Sequence, residues 1–374
     1  MDLKWWLALG RVPGVGPATF VKLVQSLGSP EAVFRAPQRS LLAMDRVGPK
    51  VAHAIAAYRD DGWPDREVAR MEAMGVRMVT FGSEEYPPAL GAIPDPPPYL
   101  FVRGRLCPED RIALAIVGSR AASQYGLKAT FRMAREVASR GITVVSGMAR
   151  GIDSEAHRGA LAAGGRTVAV LGSGLNVIYP PENRELFVRI AEHGAVVTEY
   201  PLDTQPEAVH FPARNRIISG MCLGTTIVEA APKSGSLITA GLALEQGREV
   251  FAVPGSVDSM RSRGTHQLIR DGAHLVESAG DILEILGSSL RAWGLAPPAG
   301  QPTPAPHEPL SAQEEATLAC LGDEPVHIDT LMRQGGMGAS EASCALLQLE
   351  LKGRVKQLPG KWFLRIFKED RGRA

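Results

Sequence analysis

The sequence has no cysteine pair at C-x-x-C spacing and no histidine at ligand distance from a cysteine. Cys107, Cys222, Cys320 and Cys344 are widely scattered. Neither a zinc site nor a disulfide framework is therefore expected, and the four read as reduced packing residues. Long apolar runs are also missing. No segment approaches the roughly 20 residues that cross a bilayer, and the apolar run in MDLKWWLALGRVPG is too short for a secretory signal. A cytoplasmic chain without a membrane partner is expected. The net charge is only +1, so an anionic partner must be held by a local patch rather than by the field of the whole molecule. Near-neutrality neither supports nor excludes nucleic acid. Catalytic signatures are absent as well. AIVGSRAASQYG, from Ala115, puts a glycine turn after an apolar run but matches neither G-x-G-x-x-G nor G-x-x-x-x-G-K-[ST]. No acid ends the second strand at the ribose position, and no paired carboxylates or Ser/His/Asp order stands out. No catalytic residue, metal or cofactor is expected.

What is present divides into regions. With 374 residues, 45% hydrophobic and 22% charged, the chain suggests two or three soluble domains. Residues 1–75 read as short helices separated by glycine turns. VPGVGP and MDRVGPK resemble helix-hairpin-helix elements, which expose backbone N–H groups to a phosphate, although Arg46 stands where the motif's first glycine belongs. A helical bundle with tight turns and no ligand is the equal alternative. Across 76–290, VRMVTF, YLFVRG, IALAIVG, ITVVSG, RTVAVLG, AVVTEY, TTIVEA and EVFAVPG alternate with helical segments. Short β-branched runs of this kind are buried parallel strands, so the fold class is α/β, an extended Rossmann-like doubly wound sheet. The lead-in YPPALGAIPDPPPYLFVRG is expected to add strands at one edge. Residues 291–309 form a Pro/Ala-rich linker. In 310–374, three helices and a hairpin turning at Pro359-Gly360 give a winged-helix pattern. Its third helix carries Ser340, Glu341 and Glu350 against a single late Lys352, which is weak chemistry for base reading. A protein-docking or purely structural wing is at least as well supported.

An open parallel sheet presents ligands at the carboxyl ends of its strands, so the residues just after each run carry the functional reading. They are Gly118, Ser119, Arg120 and Ser123, then Gly147, Met148 and Ala149, then the GSGLN turn with Gly174. HFPARNRIISG follows with His210, Phe211, Arg214, Asn215 and Arg216, and then Lys233, Ser234, Gly235 and Ser236. Glycines let backbone N–H groups approach an anion, and Ser234-Gly235-Ser236 before a helix is a ready nest. The three arginines can grip phosphate, while Tyr179 and Phe211 can stack on a base. Together they describe a polyanion groove with aromatic platforms. Asp153 and His157, four apart, read first as a loop-ordering pair and second as an acid–base pair.

The motifs IVGSRxxSxYG, VVSGMARGIDSEAHRGAL, GGRTVAVLGSGLNVIYPPEN, FPARNRIISG and SGSLITAGLALEQGREVFAVPG, in this order, resemble the DNA processing protein A family, DprA or Smf. The resemblance spans the central domain and extends to the flanking helical (SAM or helix-hairpin-helix-like) and winged-helix modules. It implies a single-stranded-DNA-binding protein of natural transformation, a homodimer that protects incoming strands and helps load the RecA recombinase over single-strand-binding protein. It places the phosphate pocket on Gly118, Ser119, Arg120 and the SGMA and SGS loops, and the aromatic platform on Phe211. Members often carry a Lys or Arg just before that Phe, where this chain has Glu207, Ala208, Val209 and His210; His210, Arg214 or Lys233 would substitute. The family's dimer contact maps to THQLIRDGAHLVES, with His266, Ile269 and Leu275 as candidates and packing of the segment into its own core as the alternative. Two rivals use the same pocket. One is a nucleoside-monophosphate-hydrolysing enzyme, against which EAAPKSGSLITA places Glu229 before the loop rather than after it. The other is a nucleotide-binding sensor.

Overall fold

The computed structural model describes residues 2–292, 310–322, 325–352, 354–358 and 360–365. Contacts gather into two compact units, one within Met1–Ala299 and one within Gly300–Ala374. The expected linker, apart from its first two residues, lies outside the described residues.

Six helices open the first unit: α1 (Leu3–Gly10), α2 (Pro17–Leu27), α3 (Pro30–Arg35), α4 (Gln38–Leu42), α5 (Pro49–Ala57) and α6 (Trp63–Ala73). Two of their turns repeat one geometry. Gly16 and Gly48 are extended N-caps, and Pro17 and Pro49 follow at the first helical position, where proline's missing N–H leaves no bond unmade. Two residues earlier, Gly14 has φ 85° and Arg46 has φ 66°. Arg46 thus takes the left-handed conformation that glycine takes in the other turn. The helices share a core with the sheet edge, where Phe20 meets Tyr99 edge-on at 6.1 Å between centroids.

The sheet begins with β1 (Arg77–Thr80), α7 (Pro88–Gly91) and β2 (Tyr99–Gly104). The alternating series continues with β3 (Ala113–Gly118), α8 (Gln124–Ala138), β4 (Thr143–Ser146), α9 (Ile152–Ala162), β5 (Thr167–Val170), α10 (Arg184–His193) and β6 (Ala195–Thr198). It ends with α11 (His210–Gly220), β7 (Gly224–Val228), α12 (Gly235–Glu245), β8 (Glu249–Ala252), α13 (Arg263–Arg270), β9 (His274–Leu275) and α14 (Ala279–Ala292). All eight apolar runs are strands. Their order is β1-β2-β6-β5-β4-β3-β7-β8-β9, and β1–β2 and β2–β6 are antiparallel while the rest are parallel. The proline-rich lead-in therefore does build strands at one edge. Alternate residues of β3 feed two cores. Leu114 and Ile116 pack with Met133 of α8, Ala156 of α9 and Leu286 of α14; Ala113, Ala115 and Val117 pack with Ile217 of α11 and Ala240 of α12. With both faces covered, the central strands must be apolar throughout, which is why they read as unbroken runs.

The chain order reverses at β3. Strands β4, β5 and β6 step away on one side, and β7, β8 and β9 on the other. A doubly wound sheet opens a crevice at such a point, outside the carboxyl ends of the two strands where the order reverses.

The second unit holds α15 (Ala312–Ala319), β10 (Val326–His327), α16 (Ile328–Gly335), α17 (Ala339–Leu351), β11 (Val355–Leu358) and β12 (Trp362–Arg365). The strands pair in the order β10-β12-β11 over a core that includes Leu331, Leu346, Leu349, Val355 and Phe363. This is a winged helix, and its hairpin turns where expected, although Pro359 itself lies outside the described residues.

Candidate nucleic-acid interface

Gly118, the last residue of β3, pairs with Val228 of β7. A Cβ on Gly118 would lie 1.8 Å from the Val228 carbonyl oxygen, so only glycine lets the two strand ends close together there. The crevice beyond them is a cleft of about 690 Å³. Gly118, Ser119 and Arg120 enter it from the end of β3, Ala149 from the β4 loop, Asp153 from the first turn of α9, and Phe211, Arg214 and Asn215 from α11. Lys233, Ser234, Gly235 and Ser236 close the far wall, where Ser234 caps α12 and accepts from the Ser236 N–H at 3.4 Å. The positive end of the helix dipole and the exposed Lys233 make the wall favourable to an anion.

Arg120 and Phe211 also border a smaller recess, with Gly147, Arg150, Gly172 and Tyr179. The Arg120 guanidinium lies 5.1 Å from the Phe211 ring centroid, and the Tyr179 ring, tilted by 44°, is 5.9 Å from Phe211 between centroids. Cation and aromatic rings therefore form one continuous surface joining cleft and recess.

Arg214 is buried under this surface. Its Nη1 donates to the Gly147 carbonyl at 3.0 Å and to the Val170 carbonyl, at the ends of β4 and β5. Asp153 accepts from the Ala149 N–H at 3.4 Å. Burial disfavours both charges, raising the Asp153 pKa and lowering that of Arg214 to about 10, while their mutual attraction opposes both shifts. Both side chains lie beneath the SGMA turn, where a Cβ on Gly147 would come within 2.7 Å of each. Asp153 thus orders its loop through Ala149 and Arg214, and His157 takes no part in it. That histidine is fully buried, with Nδ1 2.6 Å from the Thr167 hydroxyl. The hydroxyl already donates to the Val144 carbonyl at 2.7 Å, so His157 must be the Nδ1–H tautomer. The expected Asp153–His157 pair does not form.

Other candidates stand apart from the cleft. Arg216 points to the opposite side of α11, with Nη2 2.5 Å from Glu199 and Nε 3.2 Å from Asp95. His210 stacks on Tyr200 at 4.3 Å between centroids. Gly174 packs against the carbonyls of Pro201 and Leu202. Met148 is fully buried at φ 56° and offers only backbone, its carbonyl accepting from Asn183 Nδ2 at 2.9 Å. Ser123 caps α8 and donates from its hydroxyl to Glu229, whose other oxygen accepts the Ser123 N–H at 2.8 Å. Sequence reasoning misses Arg150, held by Glu182 at the recess rim, and Arg261, whose Nε pins the Ala121 carbonyl at 2.8 Å. The Arg261 contact carries no local signal, since its partner lies in a distant loop.

The segment THQLIRDGAHLVES divides its apolar groups. Val276 is in one core and Leu268 packs against the other, across the sheet, whereas Leu275 is 51% exposed and Ile269 half-buried. His266 Nε2 lies 3.1 Å from the Gly255 carbonyl. Among the described residues no group of three His, Cys, Asp or Glu could hold a metal, and no helix is long and apolar enough to cross a membrane.

Residues 77–287 match the family model for DNA recombination-mediator protein A, and residues 301–361 match that for the DprA winged helix domain. Protein Smf of Synechocystis is 34% identical over 97% of this chain and 99% of its own length. The crystal structure of DNA processing protein A from Streptococcus pneumoniae has 34% identity and a TM-score of 0.65, over 75% of this chain and 97% of that one. A structure of DNA processing protein A from Helicobacter pylori, studied for its single-stranded DNA binding mode, has 30% identity and a TM-score of 0.52, over 57% of this chain and 96% of that one.

Proposed function

The chain belongs to the DNA recombination-mediator protein A family, DprA or Smf, and from that premise we propose that its cleft holds single-stranded DNA without chemical change. The observation that carries the reading is Arg120 set over Phe211 beside a helix-start nest. A cation and N–H donors hold phosphates, and a ring takes whichever base adjoins them, so the strand is gripped with little regard to sequence. Gly118, Ser119, Arg120, Ala149, Phe211, Lys233, Ser234, Gly235 and Ser236 make direct contact in this reading. Arg214 and Asp153 position the loops, and Lys233 supplies the cation that relatives often carry ahead of the phenylalanine. Protection of an incoming strand in transformation, and its delivery to RecA over single-strand-binding protein, belong to the same proposal on family grounds. So does a homodimer through Ile269, Leu275 and His266, supported by the exposed apolar surface of Leu275.

Fluorescence anisotropy with labelled oligo-dT tests the reading, with mononucleotide and duplex as competitors. Long single strands should compete far better than either. Equal competition by a mononucleotide would assign the cleft to a small ligand instead.

A further inference from the structure

The outward face of the winged helix differs sharply between its helix and its sheet. Helix α17 turns Ser340, Glu341, Ser343, Cys344, Leu347 and Gln348 to solvent, with no Arg or Lys among them, so it lacks the cations that commonly read a major groove. The sheet has them, together with an aromatic ring. Directly opposed residues of an antiparallel pair share a face. Lys356 opposes Leu364, and Trp362 opposes both Leu358 and His327. Val355 and Phe363, on the other face, are 1% and 6% exposed and belong to the core. Lys356, Trp362 and His327 therefore stand on the outer face.

Trp362 is 44% exposed, and its ring meets the His327 ring edge-on with centroids 5.3 Å apart, a contact that restricts the indole without covering it. Lys356 is a diagonal neighbour, about 7–8 Å away by ordinary sheet geometry. Lys361, in the hairpin turn at φ 59°, is exposed beside it. Asp329, 3.4 Å from His327 Nδ1, puts negative charge at the histidine and leaves the phosphate role to the lysines.

We propose that this sheet face is a second contact for single-stranded DNA, in which a nucleobase stacks on Trp362 while Lys356 and Lys361 neutralise the flanking phosphates. A stacking ring needs a base face, which a single strand offers and a duplex hides. Two exposed lysines near the ring favour a polyanion over an apolar protein surface. The choice of ligand rests on the single-strand reading of the cleft.

The test is photo-crosslinking of the full-length protein to a long oligo-dT carrying iododeoxyuridine, with crosslinked peptides identified by mass spectrometry. Two separate peptides should be found, one containing Phe211 and one containing Trp362. Trp362→Ala should abolish the second crosslink and weaken binding of the long oligonucleotide by about fivefold or more, with Trp362→Phe recovering most of it. Lys356→Ala, a change outside the core, should lower the salt dependence by about one phosphate. Crosslinks confined to the first unit overturn the proposal, and so does a Trp362→Ala protein impaired for duplex more than for single strands. Loss of only the Phe211 crosslink would refute the cleft reading and leave this one standing.

Discussion

The Arg120 guanidinium lies 5.1 Å from the centre of the Phe211 ring, although one residue follows β3 and the other opens α11. At an exposed site such a contact contributes about 0.5–1 kcal/mol, enough to bias two mobile side chains toward one shared surface. In the proposed complex, a strand whose phosphate reaches Arg120 would place its neighbouring base at Phe211.

Arg120→Ala should weaken oligo-dT binding by about tenfold or more, since a charge-assisted hydrogen bond is lost. The slope of log affinity against log salt should fall by about one phosphate's worth. Titrations at two or more salt concentrations check this; an unchanged slope would remove Arg120 from the interface.

Phe211→Ala should cost about 1–3 kcal/mol of binding and leave the salt slope unchanged, because stacking releases no counterions. Phe211→Tyr should retain most of the affinity. Equal losses in both proteins, with lowered melting temperatures, would make Phe211 a packing residue.

Arg216→Met should behave differently from Arg120→Ala. It leaves Glu199 buried without its cation, a change of about 3 kcal/mol in stability by the usual cost of breaking such a pair. Urea denaturation should show the loss, and adding Glu199→Gln should recover part of it. The salt slope of DNA binding by the folded protein should match wild type, and a slope lowered by one phosphate would restore Arg216 to the interface.

His157 predicts an acid limb in the stability profile. Burial holds its pKa down to about 3 in the folded state, against about 6.5 when unfolded. The unfolded chain therefore binds the extra proton between these values. The contribution is complete above pH 6.5 and is lost as pH falls toward 3, at up to about 1.4 kcal/mol per pH unit. Denaturation of His157→Gln across this range should show a shallower decline than wild type, and parallel curves would exclude His157 as the source.

Ile269→Arg should yield a folded monomer by light scattering, because a two-fold contact would bury two like charges near its axis. The monomer should bind short oligo-dT through its intact cleft but lose avidity for long strands. A mutant that remains dimeric moves the contact elsewhere, and one that unfolds assigns Ile269 to its own core.

The strands and their carboxyl ends were legible because full burial demands apolar runs and glycine marks where they stop. The roles of the α11 residues were less so. Read as a loop, HFPARNRIISG offers its two arginines equally. As a helix, Phe211, Arg214 and Asn215 fall on one face at spacings of three and four, while Arg216, two past Arg214, must face away. Helical periodicity applied to that segment would have separated the two arginines from sequence alone. The Ser123–Glu229 and Ala121–Arg261 contacts had no such signal, since each joins loops brought together only by the sheet.

The pairing of Gly118 with Val228 also has a bearing on biosynthesis. Arg120 is translated early, but the opposite wall, from Lys233 to Ser236, arrives only after β4, β5 and β6 and the insertion of β7 on the far side of β3. Such non-local parallel pairing is a late and slow event in folding. A chain interrupted before β7 consequently has the arginine but not the opposite wall of the crevice.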